Sequence, residues 1–168
     1  MPTPAYITIE GANQGDMSSG AMSADSVGTL SVSSQENKIQ IQEFELGISV
    51  PTDPQSGQPT GRRVHTGCRI VKYLDKASPM ILQAIATGEQ LTKVKVEFYR
   101  TASTGSQELY YTVELDEATL VSLKPYFPMA LDGANSSYGH MEELKITYKK
   151  IAVTHEIAGT SGGDDWNN

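Results

Sequence analysis

Cysteine is nearly absent from this sequence of 168 residues, where Cys68 is the only one. A single thiol cannot form an intramolecular disulfide, and it cannot supply the two thiolates that most structural zinc sites use. We therefore expect Cys68 to behave as a small apolar side chain.

Long hydrophobic runs are also missing. No segment approaches the ~18 uninterrupted apolar residues of a membrane-spanning helix. The N-terminal segment from Met1 to Tyr6 lacks the basic and apolar regions of a cleavable signal peptide. The expectation is a chain that is made in the cytoplasm and is not inserted into a membrane.

Positive charge is scarce, because 13 Lys and Arg residues stand against 20 Asp and Glu residues for a formal net charge of -7. The basic residues are not gathered into one segment, so the chain lacks the electrostatic footprint of a protein that binds a phosphate backbone. Nucleic acid is therefore excluded as an expected partner, and an anionic membrane surface with it.

Motifs for catalysis and cofactor binding are weak or missing. Neither a Walker A sequence nor G-x-G-x-x-G occurs, and His65, His140 and His155 lack metal-ligand spacing. The segment 159–163 matches the G-x-S-x-G pattern around Ser161, but a nucleophile elbow needs a following helix and downstream acid and histidine partners. We expect no enzyme activity, no cofactor and no metal.

Adjacent carboxylates occur twice, at Glu142 with Glu143 and at Asp164 with Asp165. Neighbours on a strand face opposite ways, so neither pair forms an acid/base site. We expect solvated charges at these positions and histidines at the surface or at the ends of the barrel.

The dominant pattern is the alternation of apolar and polar residues that is typical of half-buried strands. It covers the segments 5–10, 94–99 and 108–115. Strands that bury one face favour an antiparallel sandwich or barrel over a parallel sheet. The predicted fold is therefore mainly β.

Two long strand candidates change phase midway. Within 38–50 the apolar set shifts by one residue near Gln42 and Glu43, and within 141–157 it shifts after Tyr148. A β-bulge absorbs such a shift while the strand bends, and bent strands help to close a barrel.

One helix is predicted between Ser78 and Thr87. Ser78 is the expected N-cap, Pro79 takes the first helical position, and Gly88 follows the last turn. The apolar stripe of this helix is expected to comprise Ile81, Leu82, Ile85 and Ala86.

Four other segments are less regular. The segments 11–29 and 131–139 are rich in Gly, Ser and Asn and are predicted as loops, the first with little to bury. The segment 116–124 is ambiguous between strand and helix. The segment 51–63 contains three prolines and two glycines between strand candidates, and it predicts a long loop that projects from the barrel.

Several strings along the chain carry a family resemblance. They are 1–11, 24–28, 50–65, 74–79, 98–101, 148–151 and 158–166. Taken together they resemble the Hcp family (haemolysin-coregulated proteins), the tube subunit of bacterial type VI secretion systems. The resemblance spans nearly the whole chain.

The resemblance implies a two-sheet β-barrel with one lateral helix, as one domain over residues 1–158, and a polar C-terminal segment over 159–168 without an effector domain. It further implies six-membered rings that stack into a hollow tube. A contractile sheath drives this tube, tipped by a VgrG-type spike protein, out of the cell, and the ring lumen shelters small effector proteins.

The family's extended loop maps onto 50–64 of this chain. The expected ring-to-ring contact residues are Pro51, Thr52, Asp53, Pro54, Gln55, Ser56, Gly57, Gln58, Pro59, Thr60, Gly61, Arg62 and Arg63. The polar residues Gln40, Gln42, Glu43 and Glu45 are candidates for the lumen or for a subunit interface. Alternation does not tell which polar face lies inside.

Three functions are therefore distinguished. The first is a tube subunit of a type VI secretion system that also carries effectors in its lumen. The second is a secreted binding protein or effector carrier that acts only as isolated rings. The third is a hydrolase that uses Ser161, which the missing motif context disfavours.

Overall fold

The computed structural model describes residues 3–166, which contain ten strands and two α-helices. The strands are β1 (Ala5–Gly11), β2 (Gly15–Asp16), β3 (Ile39–Ser49), β4 (Val64–Tyr73), β5 (Gln90–Thr101), β6 (Gln107–Asp116), β7 (Ala118–Tyr126), β8 (Met141–Thr147), β9 (Lys150–His155) and β10 (Thr160–Asp165). The helices are α1 (Ala24–Val27) and α2 (Ser78–Thr87).

The barrel closes at β1, which pairs antiparallel with β3 on one edge and with β5 on the other. From β3 the circuit runs through β4, β8 and β7 and returns to β5. The strands β6, β9 and β10 continue outward from β5. The expected mainly β, two-sheet antiparallel barrel is confirmed.

The corner between the two sheets is made by strands that change partner. Strand β6 pairs with β5 and β9, whereas β7 begins two residues later and pairs mainly with β8. Between them Glu117 has a φ of 50°, a left-handed conformation that is rare for a residue with a side chain. The ambiguous segment 116–124 therefore belongs to strands on both sides of this corner.

The predicted bulge in β3 is confirmed. Ile41 lies opposite Lys72 and Glu43 lies opposite Val71, so Gln42 is the extra residue. At this point β3 leaves β1 and continues beside β4 alone. The bulge thus allows one strand to serve both sheets.

The second phase change was expected to be a bulge within one bent strand, and this expectation was wrong. The chain forms two strands, β8 and β9, that are separated at Tyr148 and Lys149. Strand β8 pairs with β4 and β7, and β9 pairs with β6 and β10. The phase change therefore marks the point where the chain passes from one sheet to the other. A corner, like a bulge, changes which side chains of the alternating pattern face the core.

Helix α2 has the predicted bounds and a different first turn. Its N-cap is Ala77 rather than Ser78, because the Ser78 hydroxyl donates a hydrogen bond to Glu142 Oε2 at 2.9 Å instead of capping the helix. The helix ends at Gly88, whose φ of 68° gives the left-handed C-cap that glycine adopts readily. Neither helix of residues 3–166 is long and apolar enough to cross a membrane.

The buried face of α2 is rotated from the predicted stripe. Ile81 and Ala84 are buried, whereas Leu82 is 57% exposed and Ala86 is exposed. Ile85 packs partly against the core. Leu82 and Ala86 therefore belong to the predicted apolar stripe but lie on the exposed side of the helix.

The core lies between the two sheets and is mostly aliphatic. Burying one such side chain contributes about 1.5–3 kcal/mol. Side chains at or below 1% exposure include Ile7, Ile9, Ile39, Ile70, Leu91, Val94, Val96, Leu115, Leu144 and Ile146. Cys68 is also buried, and burial raises its pKa to about 12, so the thiol stays protonated and behaves as the expected apolar side chain.

The segment 11–29, predicted as a loop with little to bury, contributes to the core. It buries Met17, Ala21 and Met22 at 1%, 0% and 2% exposure. The polar C-terminal segment forms β10 and pairs with β9 along its whole length. Its last two residues, Asn167 and Asn168, lie outside the described residues.

A buried ionic group joins α2 to the sheet. The Lys72 ammonium, with a side chain at 0% exposure, lies 2.7 Å from Glu142 Oε2 and 3.0 Å from Asp75 Oδ1. It also donates hydrogen bonds to the Tyr73 carbonyl and to the Ser78 hydroxyl, each at 3.0 Å. Burial raises the pKa of Asp75. One cation thus compensates two carboxyl groups in the interior.

Replacing Lys72 with methionine should destabilise the barrel by about 3–5 kcal/mol, because Glu142 and Asp75 would remain buried without their cation. Denaturant unfolding midpoints would measure the change. The matched control is Lys95→Met, which removes a partly exposed pair with Glu114 at 3.9 Å and should cost less than about 1 kcal/mol. Equal effects of the two substitutions would contradict this interpretation of the Lys72 group.

Candidate functional site

The segment 51–63 projects from the end of the β3–β4 hairpin as an ordered loop. Thr52 and Pro59 form an isolated antiparallel bridge, and the Thr60 amide donates a hydrogen bond to the Pro51 carbonyl at 2.9 Å. The residues of the loop are exposed, except that Asp53 and Arg63 are partly buried. The loop is therefore a narrow extension of the hairpin that offers its surface to solvent.

The tip of this loop is organised by Asp53. Its carboxylate accepts a hydrogen bond from the Gln55 amide at 2.8 Å, and this bond lowers the pKa of Asp53. Its backbone amide donates to the Gln58 carbonyl, and its carbonyl accepts from the Gly57 amide, each at 2.8 Å. Gly57 has a φ of 73°, which a residue with a side chain would rarely adopt. The tip is thus a turn fixed by local hydrogen bonds.

Apolar side chains surround the base of the loop. Ile48, Val50 and Val64 are 51%, 46% and 46% exposed, although they belong to or adjoin the β3–β4 hairpin. Exposed aliphatic side chains at the root of a projecting loop are typical of a surface that another chain covers.

The predicted polar residues of β3 lie in two groups on either side of the bulge. Gln40 is opposite Tyr6 of β1, and Gln42 is the bulged residue itself. Both border a groove of about 430 Å³ that also includes Tyr6 and Gln107. This groove is where β3 meets the first sheet.

Glu43 and Glu45 lie on the far side of the bulge and face Arg69 of β4. The Arg69 guanidinium donates hydrogen bonds to Glu43 Oε1 at 2.7 Å and to Glu143 Oε2 at 3.0 Å. Glu45 lies farther from it, with 3.9 Å between the charged atoms. Of the four predicted residues, the two carboxylates therefore share a charged row with Arg69, and the two glutamines border the groove.

A second group of side chains, not predicted from the sequence, lies at the root of the loop. We call it the loop-root cluster, and it comprises Arg63, His65, Tyr148, Asp164 and Trp166. His65 Nε2 lies 2.7 Å from Asp164 Oδ2, and His65 Nδ1 lies 2.7 Å from the Tyr148 hydroxyl. Arg63 Nε lies 2.5 Å from the same Asp164 oxygen. The cluster thus connects the loop, the β8–β9 corner and β10.

The charges and protons of the loop-root cluster follow from these contacts. Hydrogen bonds from Arg63 and from His65 hold the pKa of Asp164 at about 2. Burial raises the pKa of Tyr148 to about 12. Asp164 is therefore a carboxylate that only accepts, so His65 donates a hydrogen bond to it from Nε2.

His65 was expected at the surface or at an end of the barrel, and it is the second residue of β4 with 3% exposure. Glu142 was expected to be solvated, and this expectation was wrong, because the residue is 1% exposed. Asp164 is also paired rather than free in solvent. The sequence contains a sign of this packing in Trp166, an isolated large aromatic residue in a polar segment, whose ring centre lies 4.9 Å from that of His65.

The residues considered for catalysis are not arranged as an active site. Ser161 lies within β10, whereas a nucleophile elbow places its serine at a turn between a strand and a helix. No group of three or more His, Cys, Asp or Glu side chains within residues 3–166 is arranged to hold a metal ion.

Several strand edges lack a neighbour in the described part of the chain, and two of them are long. Beyond the bulge, the residues from Phe44 to Ser49 pair only with β4, and β10 pairs only with β9. Unpaired edges present rows of amide and carbonyl groups that can pair with another chain.

Comparisons with known proteins agree on one family. The family model described as "Type VI secretion system effector, Hcp" matches residues 6–155. Over its 168 residues the chain is 46% identical to the "Major exported protein" of Pseudomonas aeruginosa strain PAO1, and the match covers all of this chain and 98% of that protein.

Solved structures give the same result. A crystal structure of an Hcp protein is 37% identical with a TM-score of 0.94 and covers 99% of both chains. The secreted protein Hcp3 from Pseudomonas aeruginosa is 40% identical with a TM-score of 0.83, covering 97% of this chain and 99% of that one. The family expected from the sequence is therefore confirmed, and this chain belongs to the Hcp family of type VI secretion proteins.

Proposed function

We propose that copies of this protein form six-membered rings that stack into the tube of a type VI secretion system, and that the protein has no catalytic role. The observation that carries the proposal is the ordered, exposed loop over 51–63 with apolar residues at its base. A loop that holds its shape in solvent and projects from a rigid barrel is suited to contact another molecule.

The free strand edges support closure of a ring. A closed ring needs heterologous contacts, in which one patch of a subunit meets a different patch of its neighbour. The edge of β3 beyond Phe44 and the outer edge of β10 are two different edges of the same molecule. A pairing between unlike edges can therefore repeat around an axis.

The loop supports stacking of one ring on the next. Its contact residues in this proposal are those from Pro51 to Arg63, with Ile48, Val50 and Val64 as the apolar base. In this proposal the further partners are a VgrG-type spike protein at the tip of the tube and sheath proteins around it. The subunit is synthesised in the cytoplasm and exported through the same system.

The assembly is tested first on the purified protein. Light scattering after size exclusion should give a mass about six times the 18.2 kDa of the chain, and negative-stain micrographs should show rings. Monomers across a wide range of concentrations would refute the proposal.

Deleting the segment 53–61 should leave folded rings and shorten the tubes, because the loop tip is removed while the barrel and its strand edges remain. Tube length in micrographs measures the effect. The control is a double substitution in another exposed turn, Ser103→Ala with Thr104→Ala, which should leave tube length unchanged. Normal tubes from the deletion variant would show that the loop does not join rings.

A second candidate function is the transport of effectors within the rings. It is favoured by the row of charged side chains on one sheet, where Glu43, Glu45, Arg69 and Lys145 lie on neighbouring strands. In this candidate Gln40 and Gln42 face the lumen or a neighbouring subunit. Rings that carry effectors without stacking are the alternative to a tube.

Glu45→Gln should reduce the amount of effector that co-purifies with the rings by roughly tenfold if Glu45 faces the lumen, because a charged hydrogen-bond partner is lost. The rings should persist, since Glu45 is 3.9 Å from Arg69 and contributes little to the barrel. The control is Glu114→Gln, which removes an exposed carboxylate on β6. Equal effector recovery from both variants would exclude Glu45 from the binding surface.

A further inference from the structure

The C-terminal strand and the projecting loop meet in the loop-root cluster, although Arg63 and Asp164 are 101 residues apart in sequence. One oxygen of Asp164, Oδ2, lies against both Arg63 Nε and His65 Nε2. Arg63 also donates from Nη2 to the Asp165 carbonyl at 2.8 Å. Arg63, the last residue of the loop, and His65, the second residue of β4, are thus bonded to the end of β10.

Apart from its pairing with β9, strand β10 has little that holds it in place besides this cluster. Its sequence is Thr-Ser-Gly-Gly-Asp-Asp, and Gly and Asp are depleted in strands. It has β9 as its one neighbour in the described part of the chain, and most of its residues are exposed. The contacts at its end therefore make a large contribution to its docking.

Those contacts also fix the partners of His65. The Trp166 ring is inclined by 30° to the imidazole, and the Trp166 amide donates a hydrogen bond to the Lys149 carbonyl at 2.8 Å. The side chain of His65 is fully buried between these groups. Removing β10 would take away both the Asp164 acceptor of the Nε2 proton and the Trp166 ring that packs on the imidazole.

We propose that docking of β10 holds the projecting loop in position, with Asp164 as the positioning residue that fixes Arg63 and His65 at the loop root. The proposal deepens the proposed function, because it makes the C-terminal strand a condition for the contact between rings. A protomer whose β10 is released has the same barrel and a mobile loop.

Two glycines of β10 offer a matched pair of variants. A Cβ atom at Gly163 would lie 2.8 Å from the Ile151 carbonyl oxygen of β9, whereas a Cβ atom at Gly162 would have no atom within 4 Å. Gly163→Ala should therefore push β10 away from β9 without altering a side chain of the cluster. Gly162→Ala should leave the strand docked. Asp164→Asn removes the shared carboxylate directly.

The experiment measures docking and loop mobility separately on dispersed protein. Trp166 is the only tryptophan of the chain, so its fluorescence reports whether β10 is docked on His65. Trypsin cleavage after Arg62 and Arg63 and hydrogen exchange over 51–63 report the loop. Gly163→Ala and Asp164→Asn should raise the cleavage rate roughly tenfold or more, because local opening that exposes the site becomes more frequent.

Gly162→Ala should match the wild type in fluorescence, cleavage and exchange. The proposal is overturned if Gly163→Ala shifts the Trp166 emission to the red while the loop stays as protected as in the wild type. If Gly163→Ala leaves the emission unchanged, Asp164→Asn decides, and wild-type cleavage of that variant overturns the proposal. Asp164→Glu, which keeps the charge, should restore more protection than Asp164→Asn.

Tube formation is measured last, and it separates this proposal from the function on which it rests. Gly163→Ala should give shorter tubes than Gly162→Ala. If the wild-type protein forms no tubes at all, the proposed function fails, while the coupling between β10 and the loop is still decided by the cleavage and fluorescence of dispersed protein.

Discussion

The architecture depends on the pairing of β1 with two strands at once. Through Ala5 to Ile7 this strand bonds to β3 on one side and to β5 on the other, so the sheet returns on itself. The closed circuit fixes the space between the two sheets, which Ile7 and Ile9 help to fill from β1 itself. The remaining strands, the helix and the projecting loop all take their positions from this closed frame.

Closure of the barrel also explains where its strands are bulged, turned or interrupted. The bulge at Gln42 lets β3 serve both sheets, and the left-handed Glu117 turns the chain from β6 into β7. The break at Tyr148 and Lys149 does the same for β8 and β9. Each irregularity is placed where a strand exchanges one partner for another, as the geometry of a closed barrel requires.

Alternation along the chain predicted β1, β5 and β6, its change of phase predicted the bulge in β3, and end residues with helical spacing predicted α2. These features depend on neighbours within a few residues. The strands β7 and β10 were not predicted, because 116–124 fits strand and helix alike and the sequence of β10 is poor in strand-forming residues. The loop over 51–63 was found from its prolines and glycines. The buried polar groups were not found, since Lys72, Glu142 and His65 have the same residue types and spacing as solvated positions. Their partners come from distant strands, and a period of two cannot tell a buried charge with a partner from an exposed one.

The turn that Asp53 organises has a consequence for any association in which the loop takes part. Because the tip is already closed by its own hydrogen bonds, its conformational entropy is lost during folding and not at the moment of contact. The partner surface therefore contacts a loop tip whose conformation is already fixed. Association is then a rigid-body encounter, and its rate is limited by the relative orientation of the two surfaces.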